Sequence, residues 1–164
     1  MSALAQTSAT SRGIASGDVD TLVAIEAGSY AFPWSRGNFI DSLAAGYLCQ
    51  LLVEARGTIV GYFIAMRGVG EMHLLNITVA PEWQHRGLAQ QMLDELESVC
   101  RAEQLPLLWL EVRLSNQRAR DIYRRRGFAE VGLRRGYYPG AQNEREDAVV
   151  MRAALQSGDG HGLG

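Results

Sequence analysis

The segment from Gly70 to Val112 constrains the fold more than any other part of the sequence. Its centre, Gly87 to Glu103, has apolar residues at helical spacing on one face: Leu88, Met92, Leu93, Leu96, Val99 and Cys100. Two predicted strands flank this helix: Gly70 to Val79, and the apolar run from Pro106 to Val112. A strand, a helix and a second strand in that order are typical of an α/β fold.

The rest of the chain adds hairpin and helix signals. Tyr47–Ala55 and Thr58–Met66 are rich in β-forming residues, and the Arg56-Gly57 pair between them predicts a hairpin. Ser35 can cap a helix over Ser35–Ala45, and Gly46 suits its end. Further predicted elements are helices over Val19–Ala27 and Asn116–Arg126 and strands over Phe128–Leu133 and Asp147–Arg152. Hairpins combined with strand–helix–strand units predict an α/β fold with a mixed sheet.

The length and the two ends of the chain predict its domain organisation. A chain of 164 residues favours one domain, which we place at residues 12–155. Residues 1–11 are rich in Ser, Ala and Thr, so we expect a loose N-terminal segment. Residues 156–164 are rich in Gly, so we expect a flexible tail.

Composition argues against several classes of protein. The formal net charge of −2 gives no general attraction to nucleic acid or to a membrane surface. No apolar run approaches the ~20 residues of a membrane-spanning helix. Cys49 and Cys100 are isolated and form no CxxC pair, so we expect two small buried hydrophobic residues. Because the start of the chain also lacks the pattern of a secretory signal, we expect a cytoplasmic location.

A run of arginines and two histidines leave alternatives open. The arginines, which could form a nucleic-acid surface or a solvated helix face, are Arg118, Arg120, Arg124, Arg125 and Arg126. Helical spacing scatters them, and no aromatic residues are interleaved for base stacking, which favours the solvated face. His73 and His85 have no partners at metal-ligand spacing, so we expect surface or loop roles and no metal site.

A possible anion site lies where the strand that ends at Val79 gives way to the helix that begins near Gly87. The first N–H groups of a helix have no partner within the helix, and the helix dipole makes that end electropositive. Gly87 and the small Ala89 would let a phosphate or pyrophosphate come close to those groups. Spacing alone leaves an ordinary strand–helix connection as the alternative. The segment matches neither GxGxxG nor GxxxxGK[ST], which argues against dinucleotide-binding and P-loop sites.

Glu111 is the first candidate for acid–base chemistry. It interrupts the apolar run Leu107–Val112, and on a strand it would share a face with Trp109 and Arg113. Burial of a carboxylate is costly unless the group is paired or used. The residue is therefore either a general base whose pKa burial raises, or a strand-end carboxylate paired with an arginine such as Arg113.

Tyr123 is the second candidate. It follows Asn116 by seven residues, about two helical turns, so the two side chains can face the same groove. A phenol with an ordinary pKa of about 10 holds its proton at neutral pH and can give it to a leaving group. The alternatives are a half-buried aromatic beside Ile122 and Phe128 for Tyr123, and a helix N-cap for Asn116.

Blocks of sequence spread over most of residues 12–153 resemble the GNAT acetyltransferase superfamily. The segment Gln84-His-Arg-Gly-Leu-Ala89 is similar to its Q/R-x-x-G-x-G/A motif, with Ala89 in place of the common second Gly. Four further blocks look like the branch of ribosomal-protein-alanine N-acetyltransferases. They are Tyr30-Ala-Phe-Pro-Trp-Ser35, Leu108-Trp-Leu-Glu-Val-Arg-Leu-Ser-Asn116, Ile122-Tyr-Arg-Arg-Arg-Gly-Phe128, and Arg135-Gly-Tyr-Tyr-Pro139 with Arg145-Glu-Asp-Ala-Val-Val-Met151.

The resemblance implies a fold, a cosubstrate and the residues that bind it. The fold would be a mixed, mostly antiparallel central sheet flanked by helices, and the cosubstrate would be acetyl-CoA, with no metal ion. The loop residues expected to hold the coenzyme pyrophosphate are His85, Arg86, Gly87, Leu88, Ala89 and Gln90. Backbone groups of Ile77, Thr78 and Val79 would pair with the pantetheine arm like an added strand, and Asn116 would also contact the coenzyme.

The resemblance also implies the chemistry. Glu111 would be the general base, and Tyr123 would be the general acid that protonates the thiolate of coenzyme A. The acceptor would be the N-terminal alanine of a small-subunit ribosomal protein, which attacks the thioester directly in a ternary complex. The alternatives are a GNAT enzyme for another amine (a protein lysine, another N-terminus or a small molecule) and a non-catalytic module that binds acetyl-CoA. Neither a nucleic acid nor a membrane is expected as a partner.

Two aromatic segments could flank a slot for the acceptor. They are Phe32-Pro33-Trp34 and Tyr137-Tyr138-Pro139, both expected in loops. Aromatic walls suit a peptide, and nearby carboxylates would attract a basic N-terminal segment; these are Glu144, Glu146 and Asp147. The alternative is that each segment covers an edge of the core.

Overall fold

The computed structural model describes residues 8–156, and its elements follow the alternation that the sequence predicts. The strands in this part of the chain are β1 (Ala9–Gly13), β2 (Leu48–Glu54), β3 (Ile59–Gly68), β4 (Glu71–Val79), β5 (Leu107–Arg113), β6 (Ala129–Pro139) and β7 (Arg145–Ala154). The α-helices are α1 (Val19–Ser29), α2 (Arg36–Ala44), α3 (Leu88–Ala102) and α4 (Gln117–Arg125). Most of the expected loose segment, and all but the first residue of the expected tail, lie outside the described residues.

The described strands form one mixed sheet in the order β1-β2-β3-β4-β5-β7-β6. Strands β4 and β5 pair in parallel, from Glu71 opposite Leu107 to Leu74 opposite Leu110. Antiparallel pairs are β1–β2, β2–β3, β5–β7 and β6–β7. Helix α3 connects the parallel pair, as such a crossover requires. The predicted α/β class, with a mixed and mostly antiparallel sheet, is confirmed.

The described chain divides into two compact units. The first unit comprises the described residues up to Met66 together with Leu75–Leu96. Its core cluster consists of Val19, Leu22, Phe39, Cys49, Leu51, Tyr62 and Ile64. The Phe39 ring lies 5.4 Å from that of Trp34 and 5.7 Å from that of Tyr62, between ring centroids. Aromatic contacts of this kind add to the burial energy and join α2 to β3.

The second unit comprises Arg67–Leu74 together with the described residues from Glu97 onward. Its strand β5 alternates between buried and half-buried side chains, as a strand with one covered face does. Leu108, Leu110 and Val112 are buried on one face. Glu111 lies on the opposite face with Trp109, in agreement with the prediction from strand periodicity.

Both cysteines are buried and free, as predicted. Burial raises the pKa of the Cys100 thiol to about 11, and it also raises the pKa of Cys49. Both groups are therefore protonated thiols at neutral pH and pack as small hydrophobic side chains.

Predicted caps fix the starts of α2 and α4. The Ser35 hydroxyl accepts from the Asn38 N–H at 3.2 Å, and the Asn116 side chain accepts from the Ala119 N–H at 3.2 Å. Gly127 ends α4 with a φ of +98°, a conformation that glycine adopts without strain. The sequence therefore places α4, which carries Tyr123, between the correct residues.

Residues 9–11, which the sequence assigns to a loose segment, belong to strand β1. Ala9 to Gly13 pair with β2, so the prediction was wrong for these residues. Their side chains are mostly exposed, and an edge strand needs backbone hydrogen bonds but no hydrophobic alternation. The Gln91 side chain also donates to the Ala9 carbonyl at 2.9 Å, and the Ser11 hydroxyl donates to Glu95 at 2.7 Å.

Strand β6 runs to Pro139, well beyond the predicted end at Leu133, so Tyr137-Tyr138-Pro139 lies in a strand and not in a loop. The pairing register shifts between Arg134 and Tyr138, where Gly136 has a φ of +59°. The Gly136 N–H donates to the Asp147 carboxylate at 2.8 Å. A bulge at this glycine lets the strand continue past a residue that usually indicates a turn.

Candidate active site

The last residues of β4 present alternate backbone groups to two sides. The Ala80 N–H donates to the Val60 carbonyl at 2.9 Å, so this backbone position faces β3. Because successive residues of a strand alternate, Thr78 faces β3 as well, and Ile77 and Val79 direct their N–H and C=O groups to the opposite edge. The resemblance to the GNAT superfamily assigns the backbone groups of these residues to binding of the pantetheine arm.

Side chains of the first unit reach the carbonyls on that edge. The Tyr30 hydroxyl lies 3.2 Å from the Ile77 carbonyl and 2.7 Å from the Thr78 hydroxyl. The Gln84 side-chain amide donates to the Val79 carbonyl at 3.4 Å. Both contacts are made to backbone carbonyls, so they identify the edge of β4 that these carbonyls face. They also place the side chains of Tyr30 and Gln84 beside the segment that is predicted to bind the coenzyme.

The loop between β4 and α3 has two residues in the left-handed region. His85 has a φ of +64° and Gly87 a φ of +79°. A Cβ at Gly87 would meet nothing within 4 Å, so the backbone there is open to a ligand. The Gln91 N–H donates to the Gly87 carbonyl at 3.0 Å. The N–H groups that precede it, such as those of Leu88 and Ala89, have no acceptor within the helix.

Arg86 is exposed next to this helix start. Its guanidinium lies 4.7 Å from the centroid of the Trp83 ring and donates to the Glu82 carbonyl at 3.3 Å. The charge therefore stays in solvent beside the loop, held by a stacking contact worth about 0.5–1 kcal/mol at an exposed site. Together, Arg86 and the helix start supply positive potential and backbone donors, which fits the anion site that the sequence predicts.

Glu111 is held in the second unit by a histidine. Its side chain is 7% exposed, and its Oε2 contacts His73 Nε2. Its Oε1 lies 3.5 Å from the Nε of Arg134. Arg113, the partner that the sequence offered as an alternative, forms an ion pair with Glu146 at 3.0 Å. The surface or loop role expected for His73 was wrong, because the residue lies on β4 beside the candidate base.

Tyr123 and Asn116 both lie on α4 or at its start. The Tyr123 ring is half-buried and packs against Phe128, with 5.5 Å between ring centroids. Asn116 occupies the N-cap position. Tyr123 is therefore the half-buried aromatic residue, and Asn116 the helix N-cap, that the sequence offered as alternatives. Their roles toward the coenzyme remain predictions.

Tyr138 is a functional candidate that the sequence placed in a loop. Burial raises the pKa of its phenol above the ordinary value, and the nearby Tyr137 and Glu111 raise it further. The Arg113 guanidinium lies 4.6 Å from the centroid of the Tyr138 ring. Tyr123 also raises the pKa of Tyr138, so both Glu111 and Tyr123 lie near enough to act on its phenol. The adjacent residues Tyr137 and Tyr138 are the feature of the sequence that could have identified this candidate.

Two of the three carboxylates expected to attract a basic peptide are already engaged. Glu146 accepts from the Ser115 N–H at 2.9 Å and pairs with Arg113. These contacts hold the pKa of Glu146 below its ordinary value. Asp147 accepts from the Gly136 N–H. Their first role is to hold β6, β7 and the start of α4 together.

Ion pairs occupy several arginines of the α4 region. Arg120 and Arg124 both pair with Glu130, at 2.9 and 2.5 Å. Arg126 pairs with Glu97 at 2.7 Å. Arg124 is 44% exposed, as a solvated helix face predicts, but the side chains of Arg120 and Arg126 are only 15% and 16% exposed and belong to the interior ion pairs.

Within residues 8–156, no cluster of three or more His, Cys, Asp or Glu side chains has the arrangement of a metal site. In the same part of the chain, no helix is long and apolar enough to cross a membrane.

Comparison with known proteins agrees with this geometry. The model of the acetyltransferase (GNAT) family matches residues 19–128. A [ribosomal protein bS18]-alanine N-acetyltransferase of Salmonella typhimurium is 39% identical over 127 residues, which cover 77% of this chain and 84% of the relative. Its counterpart in Escherichia coli K12 is 36% identical over 134 residues, which cover 82% and 89% of the two chains.

A crystal structure of the ribosomal-protein-S18-alanine N-acetyltransferase from Escherichia coli superimposes with a TM-score of 0.83. It is 32% identical, and the match covers 93% of this chain and 98% of that one. The resemblance inferred from the sequence blocks is confirmed by these matches. The chain belongs to the GNAT family of acetyltransferases.

Proposed function

We propose that this chain transfers an acetyl group from acetyl-CoA to the N-terminal alanine of ribosomal protein bS18 in the cytoplasm. The observation that carries the proposal is the likeness to bS18-alanine N-acetyltransferases, which extends over most of both chains. An α-amine is mostly protonated at neutral pH, so it needs a base before it can attack the thioester. The buried carboxylate of Glu111 on β5 supports the proposal because it can be this base.

The loop before α3 fits the pyrophosphate of acetyl-CoA. His85, Arg86 and Gly87 would lie against the phosphates, and the N–H groups of Leu88, Ala89 and Gln90 belong to the first turn of α3. Helix starts with close backbone access bind phosphate groups in this way. The backbone edge of Ile77 to Val79 would pair with the amide groups of the pantetheine arm like an added strand.

Glu111 would take a proton from the α-ammonium of the acceptor, directly or through a water molecule. The free amine would then attack the thioester carbonyl, and both substrates held side by side would gain the usual advantage of proximity. Tyr123 would give its phenolic proton to the departing thiolate of coenzyme A. The buried, protonated Cys49 and Cys100 are poor nucleophiles, which supports direct transfer without an acyl-enzyme.

A peptide panel tests the acceptor. We expect acetylation of peptides that begin with Ala, at the α-amine, and no acetylation of matched peptides whose α-amine is blocked and which carry a Lys. Mass spectrometry of the products with fragment localisation is the measurement. Acetylation confined to the Lys peptides would contradict the N-terminal acceptor. A protein that binds acetyl-CoA but modifies neither set would contradict the enzymatic proposal.

Two substitutions of Asn116 separate its cap from its contact with the coenzyme. Asn116→Ala is expected to lower the free energy of unfolding by about 1 kcal/mol because α4 loses its N-cap. Asn116→Ser keeps a capping oxygen, so we expect a change of only a few tenths of a kcal/mol. Both variants should raise the KM for acetyl-CoA about five-fold, the equivalent of one net hydrogen bond. An unchanged KM in Asn116→Ser would remove Asn116 from the coenzyme site.

A further inference from the structure

The carboxylate of Glu111 has different neighbours at its two oxygens. Oε2 contacts Nε2 of His73, whose side chain is 21% exposed. Oε1 has a longer ion-pair distance of 3.5 Å to Arg134, whose side chain is 54% exposed. The contact with His73 is therefore the closer of the two and involves the more buried partner.

Strand geometry places His73 beside Glu111. On β4, Met72 and Leu74 are buried on one face, so the alternation of side chains puts His73 on the other. The parallel register sets His73 opposite Trp109, and Glu111 follows two residues later on the same face of β5. Both side chains thus project from paired strands, which hold them more firmly than loops would.

The chemistry of the two groups gives the contact a direction. A general base starts as an ionised carboxylate, which accepts hydrogen bonds and cannot donate them, so in that state His73 Nε2 is the donor to Oε2 of Glu111. When Glu111 later takes up a proton, Oε1 can receive it while Oε2 still accepts from His73. Arg134 reaches Oε1 with a long side chain that is 54% exposed and can move away, whereas the shorter His73 side chain is only 21% exposed.

We propose that His73 is a positioning residue for acetyl transfer, whose Nε2–H fixes the Glu111 carboxylate so that Oε1 faces the acceptor amine. This inference rests on the proposed function, in which Glu111 is the base. A base displaced by about 1 Å can lose about 100-fold in rate, so an anchored carboxylate matters even though His73 never touches the substrate.

Three variants of the full chain test the role of the Nε2 donor. His73→Leu removes the donor, and His73→Asn keeps an amide donor that is too short to reach Glu111. His73→Gln carries an amide nitrogen at a reach similar to that of Nε2. We expect the first two to lower kcat about 100-fold with KM for acetyl-CoA unchanged, and His73→Gln to recover most of the rate.

The comparison uses the alanine peptide as acceptor, and each variant is also measured by denaturant unfolding. Glu103→Gln, which breaks the exposed ion pair of Glu103 with Arg67, is the matched control and should keep wild-type kcat. A merely structural role for His73 would lower stability without rescue of kcat by His73→Gln. That result, or wild-type kcat in His73→Leu and His73→Asn, would overturn the inference.

The outcomes for the wild type and for Glu111→Gln separate this inference from the proposed function. An active wild type, an inactive Glu111→Gln and fully active His73 variants would refute the positioning role alone. A wild type that acetylates no alanine peptide would refute the proposed function and remove the inference with it.

Discussion

Replacing Glu111 with glutamine is expected to lower kcat for acetyl transfer to an alanine-starting peptide by about 10²- to 10⁴-fold, the usual contribution of acid–base catalysis. Glutamine has the same shape, and its carbonyl oxygen can still accept from His73 Nε2. It cannot take a proton from the acceptor ammonium. The loss should therefore appear in kcat, measured by release of coenzyme A thiol, while the KM for acetyl-CoA stays close to that of the wild type.

The control is again Glu103→Gln, which makes the same chemical change at an exposed ion pair with Arg67. Because such pairs contribute about 0–1 kcal/mol, this variant should match the wild type in both rate and stability. A Glu111→Gln protein that retained full kcat near neutral pH would show that another group, or solvent, deprotonates the acceptor.

The elements that frame the site were predictable because local signals specify them. Ser35 and Asn116 are side chains that cap helices in most contexts, and Gly127 ends α4 in the backbone region that glycine favours. The apolar stripe from Leu88 onward identifies α3 by its period alone. Each signal acts within a few residues, so no knowledge of the sheet is required.

The neighbours of Glu111 were not predictable from such signals. His73 and Glu111 are 38 residues apart, and only the parallel register of β4 and β5 brings them together. The sequence shows that His73 lies between apolar residues, but it does not give the pairing register of β4 and β5. For the same reason the sequence offered Arg113, a near neighbour in the chain, whose observed partner is Glu146 on β7.

The limits of strands at the sheet edges were missed for a related reason. The residues of β1 are mostly exposed and have no hydrophobic alternation. In β6 the alternation of Ala129, Val131 and Leu133 ends at Arg134, which is why the sequence ends the strand there. In β6, Gly136 also indicates a turn, although the hydrogen bond from its N–H to Asp147 lets the strand continue. The position of Tyr138 in a strand follows from this bulge and from no local pattern.

Glu26 is the group whose removal should cost the most stability. Its side chain is buried on the apolar face of α1, which it shares with Val19 and Leu22. It accepts from the Trp34 N–H at 2.9 Å, the Tyr62 hydroxyl at 2.7 Å and the Asn76 amide at 2.5 Å. Glu26→Leu would leave these donors without their acceptor, at about 1–3 kcal/mol for each that stays buried.

We therefore expect Glu26→Leu to lower the free energy of unfolding by about 3 kcal/mol or more, measured in denaturant with an unchanged m-value. Tyr62→Phe removes a single donor and should cost about 1–2 kcal/mol, because Glu26 keeps two partners. Burial, followed by the charge of Glu26, raises the pKa of Tyr62, so its phenol keeps the proton that it donates to Glu26 at neutral pH. A Glu26→Leu protein within about 1 kcal/mol of the wild type would mean that water or a rearranged loop satisfies the three donors. In that case the carboxylate would not hold the segment around Trp34 against β3 and β4.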